Sequence, residues 1–336
     1  MKVAIVGCGG LGNVHASCYL NIPGVTVVGV HDLDEDAMLS MAERTGAKAY
    51  AAYAEMLAQS GCELVSITVP SDMHRMFAVQ AAEGGKHVIS EKPIALSLED
   101  AAEMIAACER SGVRLFVGHV VRYFPEYAQM KEQVTAGAVG KVGVAHAKRA
   151  GEHPGALKAW YSDEARSGGV VLDLMIHDID FLRWTMGEVR SVYGMRRVSG
   201  NVEYALATMV FENGAVANAE AYWGYPGPFH TKAEIAGNGG VIRSDSTKSA
   251  PLQIRQTQTA AEGKKFVEVP RSPGRMIPHE RQLRDFVDCI RTGREALVTP
   301  QDAYKALELA LMVMESVRTG KTIYAGEREG HYNEKA

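Results

Sequence analysis

Two short strings carry the residue types best suited to moving a proton. Glu91-Lys92-Pro93 follows an apolar run at 87–90, and Asp173-Leu174-Met175-Ile176-His177 opens a stretch of helical periodicity. A lysine ammonium can donate to an alcohol oxygen, while a neutral imidazole titrates near physiological pH and can accept a hydroxyl proton with a nearby carboxylate fixing its tautomer. Asp173 and His177 are four apart, so on a helix they point the same way, followed on that face by Asp180 and Trp184. Spacing alone fits equally well an aspartate and a histidine that satisfy one another at a helix start. Gly168-Gly169 just upstream favour a site, because backbone there can come close to a ligand. Pro93 holds Lys92 to extended backbone and permits a cis bond, which would fix the direction of the lysine; standing alone, the tripeptide would fit a surface lysine beside a helix-initiating proline. A zinc ion on Asp173 and His177 would need two more ligands, and no Cys or His cluster supplies them at recognisable spacing. No metal is expected, and Lys92 can supply the positive charge instead.

A second group of residues fits a dinucleotide. Gly7-Cys8-Gly9-Gly10-Leu11-Gly12 follows the first apolar run directly and leads into a helix. In that context Gly7 makes the tight turn, Gly9 lets backbone approach a pyrophosphate, Gly12 lets helix pack on strand, and the helix N-terminus faces the phosphates. Asp32 ends the second strand 20 residues after Gly12, where its carboxylate can accept from both ribose hydroxyls. A plain strand-to-helix turn, with Asp32 capping the next helix, would account for the parts but not for their register. The charge of Asp32 would repel a 2′-phosphate and Leu33 offers that phosphate no cation, so NAD is expected over NADP.

The elements that must position these residues fall into two textures. Apolar runs at 3–6, 25–30, 64–69, 87–90 and 115–117 alternate with segments of helical length, which predicts a doubly wound parallel sheet. Helix punctuation agrees: Gly46 after a helix near 34–44, Gly84-Gly85 after 72–83, and a capping box Ser97-Leu98-Glu99-Asp100 before a helix that stops at Gly112. After about residue 118, period-2 segments appear at 142–148, 189–196, 203–211, 215–222 and 231–235, with Asn213-Gly214 as a hairpin turn. These predict a large, mostly antiparallel sheet with helices at 125–135, 172–186, 278–291 and 299–318 covering one face. The expected division is an α/β chain with a Rossmann domain at 1–118 and an α+β domain at 119–336.

Composition narrows the partners. The chain has 336 residues, is 46% hydrophobic and 23% charged, and carries a net charge of −4. That balance suits two globular domains and lacks the concentrated basic surface that nucleic acid or anionic membranes select. Cys8, Cys18, Cys62, Cys108 and Cys289 are odd in number and scattered, which argues against a disulfide framework. No leader or membrane span is evident, and a cytoplasmic protein with a small-molecule partner is expected.

Together these residues resemble the Gfo/Idh/MocA family of sugar and polyol oxidoreductases over nearly the whole chain. The matching motifs are the glycine loop with His15, Asp32, Thr68-Val69-Pro70-Ser71-Asp72-Met73-His74, Glu91-Lys92-Pro93, Gly118-His119 with Arg122-Tyr123-Phe124, and Gly168-Gly169 through Asp173, His177, Asp178 and Asp180. The resemblance implies a Rossmann domain followed by an open-faced sheet used for dimer or tetramer contacts. It makes Lys92, Asp173 and His177 the catalytic trio, and Val69, Pro70, Ser71, His74, Glu91, Lys92 and Arg122, with Gly7 to Gly12 and Asp32, the lining of the NAD site. The implied reaction oxidises a secondary alcohol of a cyclic polyol or sugar, as inositol dehydrogenases do. Ser71 and Val170 depart from the residues common at those places in the family, and Val170 could narrow the substrate side. His119, Trp160, Tyr161, Tyr222, Trp223 and His230 are candidate substrate contacts that could equally be packing. Two other activities fit the same motifs: a glycosidase that keeps NAD bound and oxidises transiently, and a silent NAD-binding sensor.

Overall fold

Residues 1–248, 252–256 and 276–326 are described by the computed structural model. The first unit is built on a six-stranded parallel sheet, ordered β3-β2-β1-β4-β5-β6. Its elements alternate as expected: β1 (Lys2–Val6), α1 (Gly10–Leu20), β2 (Thr26–His31), α2 (Glu35–Thr45), β3 (Lys48–Ala49), α3 (Tyr53–Gln59), β4 (Leu64–Ile67), α4 (His74–Glu83), β5 (His87–Ser90), α5 (Leu98–Arg110) and β6 (Leu115–Val117). The inner strands are buried on both faces, which is why they read as continuous apolar runs. Local signals bound α2 and α5. Asp34 Oδ1 accepts the Ala37 N–H at 3.0 Å, Gly46 ends α2 at φ +70°, and Ser97 Oγ accepts the Asp100 N–H at 3.1 Å. The two-residue β3 and the short α3 are too brief to register as periodic patterns and were not expected.

Strand order reverses between β1 and β4, and parallel pairing brings the loops that follow the strands to one edge. Backbone bonds tie that edge together: Thr68 N–H to Val6 O at 2.9 Å, Glu91 N–H to Ile67 O at 3.1 Å, and Gly118 N–H to Ser90 O at 2.9 Å.

The second unit holds an eight-stranded sheet, ordered β13-β12-β11-β7-β10-β9-β8-β14. Its strands are β7 (Val142–Gly151), β8 (Val189–Ser199), β9 (Val202–Phe211), β10 (Val216–Trp223), β11 (His230–Gly237), β12 (Gly240–Asp245), β13 (Leu252–Gln256) and β14 (Ile323–Tyr324). All pairs are antiparallel except β7 with β10. The Asn213-Gly214 hairpin forms with Gly214 at φ +86° and Asn213 Oδ1 accepting the Ala215 N–H at 3.0 Å. One face carries small inward residues, including Ala205, Ala207, Ala217, Ala219 and Ala221. The helices α6 (Pro125–Thr135) and α8 (Ile176–Met186) follow the expected course and pack together through the edge-on rings of Tyr127 and Phe181 at 4.8 Å, whereas the short α7 (Glu164–Ser167), which was not expected, belongs to the first unit. The continuous helix expected over 172–186 is interrupted in winding: Val171–Met175 forms a π turn before α8 begins.

Two further helices are α9 (Pro278–Thr292) and α10 (Pro300–Thr319). The expectation that α9 covers the antiparallel sheet is corrected. Leu283, Phe286 and Val287 join Ile5, Tyr19 and Phe116 in the core of the first unit, and the Phe286 and Phe116 rings stack at 4.9 Å. An apolar stripe states that a helix face is buried, not against which sheet. The first unit therefore consists of Met1–Tyr123, Asp163–Gly168 and the described part of Gly274–Leu307; the second, of Phe124–Ser162 and the described parts of Gly169–Pro273 and Glu308–Ala336. The cut expected after residue 118 lies near the first of these crossings, and the chain returns later because α9 carries part of the first core.

Candidate active site

The glycine loop is shaped by close backbone approach. Gly7 sits at φ +90°, and a Cβ there would lie 2.6 Å from the Thr68 carbonyl carbon; one on Gly12 would lie 1.9 Å from Gly7 O. A Cβ on Gly10 would meet nothing within 4 Å, so the N-terminus of α1 opens onto free space. Leu11 is half-buried beside it. Asp32 is aimed by two backbone donors, Cys8 N–H to Oδ2 and Asp34 N–H to Oδ1 at 2.9 Å. An open helix N-terminus behind a glycine turn, with an oriented carboxylate at the end of β2, fits the pyrophosphate and ribose of a dinucleotide. Leu33 is 85% exposed and brings no cation to that carboxylate.

Lys92 follows β5 half-buried, and its peptide bond to Pro93 is cis. Its neighbour Glu91 is fully enclosed. Glu91 Oε1 contacts His15 Nε2 at 3.0 Å, Oε2 accepts the Lys92 N–H at 3.3 Å, and His15 Nδ1 reaches Ser66 Oγ at 2.8 Å, where Tyr19 also donates. Burial pushes the Glu91 carboxyl up, but the hydrogen bond and charge of His15, with His279 and Lys92, outweigh it and hold the group below its ordinary range. His74 places its ring between Pro93 O at 2.8 Å and Val69 O at 3.1 Å, and burial pushes its imidazole down. Arg122 holds Leu297 O and Asp302 at 3.0 and 3.1 Å. Thus Val69 and Pro70 are half-buried and Ser71 is buried, while His74, Glu91 and Arg122 are buried in scaffold contacts. His119 is buried as well.

In the second unit, Asp173 lies in the π turn and His177 in the first turn of α8. Both are half-buried, whereas Leu172, Leu174, Met175, Ile176 and Asp178 are buried. Asp173 and His177 are therefore the polar side chains of this segment that are partly exposed, while Asp180, expected on their face, is buried. Of the aromatic candidates, Trp160 and Tyr161 stack at 3.8 Å, and Tyr161 meets Trp223 edge-on at 6.1 Å. Tyr222 and His230 both pack against Tyr225. Among the described residues no group of three or more His, Cys, Asp or Glu is placed to hold a metal ion.

Residues 1–119 match the family model for an oxidoreductase NAD-binding Rossmann fold, and residues 131–324 match that family's C-terminal alpha/beta domain. The chain belongs to the Gfo/Idh/MocA oxidoreductase family. Family relatives include scyllo-inositol 2-dehydrogenase (NAD(+)) of Bacillus subtilis, 30% identical over 337 residues and 96% of both chains. Myo-inositol 2-dehydrogenase of Thermotoga maritima is 26% identical, over 96% of this chain and 98% of that protein. Among solved structures, GenD2 from gentamicin A biosynthesis, in complex with NAD, aligns at TM-score 0.85 with 26% identity over 96% of each chain. Levoglucosan dehydrogenase with NADH and levoglucosan aligns at 0.87 with 20% identity, over 97% of this chain and all of that one, a likeness of fold.

Sequence reasoning about this Gfo/Idh/MocA member missed three charges in the second unit. Arg149, Arg196 and Glu203 occupy inward positions of β7, β8 and β9, in phase with alanines and other buried residues. The signal was available, since a charge at an inward position of an alternating strand has to be paired. Arg149 holds Asp178 with Nε to Oδ2 at 3.2 Å and Nη2 to Oδ1 at 3.1 Å, and burial pushes the Asp178 carboxyl up against that pairing.

Proposed function

We propose that this protein is an NAD-dependent dehydrogenase that oxidises a secondary alcohol on a cyclic polyol or sugar, of the inositol 2-dehydrogenase type. The reading is carried by one observation: Lys92, Asp173 and His177 all occur in a chain that matches an NAD-dependent inositol dehydrogenase along 96% of its length. Gly7, Gly9, Gly10, Leu11 and Gly12 hold the pyrophosphate, Asp32 accepts from the adenosine ribose, and Val69, Pro70 and Ser71 line the dinucleotide. His74, Glu91 and Arg122 shape that lining from behind through the contacts described above. Bound NAD supplies the hydride acceptor. His177 accepts the hydroxyl proton, Asp173 orients its imidazole, and Lys92 steadies the oxygen as charge develops. His119, Trp160 and Tyr161 are the proposed substrate contacts besides the trio. Asp32 makes NAD the preferred cofactor over NADP.

Assembly through the open face of the eight-stranded sheet, as a homodimer or homotetramer, belongs to the same reading and is tested by light scattering on the purified protein. Among the described residues no helix is long and apolar enough to cross a membrane, and all five cysteines are free and buried. Free, buried thiols suit a reducing compartment, and a cytoplasmic location belongs to the same reading.

The deciding experiment follows NADH absorbance with purified protein, NAD and a panel of inositols, free sugars, sugar phosphates and nucleotide sugars. Turnover on a polyol or sugar is expected. NAD binding with silence across the panel would overturn the dehydrogenase reading in favour of the NAD-retaining glycosidase or the sensor.

A further inference from the structure

The segment bearing Asp173 and His177 is fastened at both ends by ion pairs that reach it from the sheet of the second unit. At its start, Glu203 Oε1 accepts three donors: Val170 N–H at 2.9 Å, Arg196 Nε at 2.8 Å and Arg196 Nη2 at 2.7 Å. The backbone lies hard against this pair. Gly169 is at φ +67°, and a Cβ on it would stand 2.8 Å from Glu203 Oε1 and 3.1 Å from Arg196 Nη2. Glu203 is 6% exposed and sits in register with Val198 on β8 and Trp223 on β10, so its position is set by two neighbouring strands. At the other end, Arg149 on β7 grips Asp178, the residue after His177. The π turn with Asp173 lies between the two fastenings.

Buried ion pairs are poor sources of stability, because desolvation offsets most of their attraction and well-packed apolar groups often do as well. Their presence at inward strand positions is better explained by what they hold in place. A π turn leaves one residue more per turn than an α-helix, so the point at which it begins decides where each following side chain is aimed. We propose that Glu203, braced by Arg196, is a positioning residue: it fixes Val170 at the entry of the π turn and thereby aims Asp173 and His177. The inference rests on the reading that these two groups handle the substrate proton. The carboxylate does not touch the reacting atoms in this account; it acts through the Val170 amide and the winding that follows.

The test compares wild type with Glu203→Gln and Arg196→Lys. Gln keeps an oxygen for the Val170 N–H but loses the charge that retains Arg196, and Lys keeps the charge but loses the two-pronged contact. Three readouts are taken: steady-state kinetics with scyllo-inositol and NAD, the imidazole resonances of His177 across a pH titration, assigned with His177→Ala, and the melting temperature. Glu203→Gln is expected to lower kcat roughly tenfold to hundredfold with the KM for NAD unchanged, and to displace the His177 resonances and their titration midpoint. Arg196→Lys is expected to do the same to a smaller degree, and it carries the test if Glu203→Gln does not fold. Variants that change only the melting temperature, with kcat, its pH profile and the His177 signals as in wild type, overturn the proposal. A wild type silent on scyllo-inositol whose His177 signals still move in Glu203→Gln upholds the positioning role and excludes only scyllo-inositol as substrate.

Discussion

Replacing Gly118 by alanine tests how tightly the polar cluster behind Lys92 is built. The new Cβ would stand 2.6 Å from Glu91 Oε1, 2.9 Å from Cδ and 2.9 Å from Oε2, so the whole carboxylate faces it. Ordinary van der Waals separation requires a retreat of roughly 0.5 to 1 Å. The group has little room to yield, because Oε1 is committed to His15 and Oε2 to the Lys92 amide, and His15 is itself fixed by Ser66. Weakening a charge-assisted hydrogen bond costs about 1.5–3 kcal/mol, and with local strain the total should come to about 2–4 kcal/mol. For a unit of this size that corresponds to a fall in melting temperature of roughly 5–15 °C. Scanning calorimetry measures it, with Gly143→Ala as the control, since a Cβ on Gly143 meets nothing. Adding Glu91→Ala to Gly118→Ala should cost less than the sum of the two single changes, because the clash is with the group removed. A Gly118→Ala protein that melts within about 2 °C of the control would refute the reasoning, since the carboxylate would then have had free space to step into.

The remaining predictions address other parts of the molecule. Asp32→Ala is expected to raise kcat/KM with NADP relative to NAD, checked by parallel kinetics with both cofactors; a loss of NADP use would contradict the assigned repulsion. Lys92→Ala and His177→Ala should each lower kcat by roughly 10²-fold while NAD still binds, as seen by calorimetric titration, and near-normal turnover in either removes that residue from the mechanism. Asp178→Ala leaves Arg149 buried without its carboxylate and should cost about 3–5 kcal/mol, whereas the double change Asp178→Leu with Arg149→Met should recover most of it in chemical denaturation. His87 and His279 are both held below the ordinary 6.5 by burial, so they stay neutral in the folded protein while the unfolded chain takes up protons first. Stability should therefore fall as pH drops below about 6.5, and fall further below about 4.5, where Glu91 is held ionised in the fold but protonates once unfolded. His87→Gln should flatten the upper part of that decline in melting temperature against pH.

The alternation of strand and helix in the first unit was legible because the inner strands are buried on both faces and local signals bound some of the helices, Asp34 and Ser97 at the starts of α2 and α5 and Gly46 at the end of α2. The long strands of the second unit were legible for the opposite reason, since β9 and β10 alternate strictly between buried and half-buried positions. What escaped was non-local. Nothing in the periodicity of Leu283, Phe286 and Val287 says that they meet Phe116 rather than the second sheet. The π turn at Val171–Met175 looks like α-helix in one dimension because winding depends on what holds Val170, and that is a carboxylate on β9, 33 positions later. The types and spacing of Asp32, Lys92, Asp173 and His177 drew attention from the sequence, yet the reason Glu91 and His74 are enclosed became visible only when their partners His15, Pro93 and Val69 were placed.

The return of α9 to the first unit bears on how the protein is made. During synthesis the strands of the parallel sheet, which end at Val117, precede the helix that covers Tyr19 and Phe116, Pro278–Thr292, by about 160 residues (278 less 117). At elongation rates of about 5–20 residues per second, that apolar surface waits on the order of ten seconds or more for its cover. The sheet of the first unit is thus translated well before its core can be completed, and a fragment ending near residue 119 would keep that surface open for good.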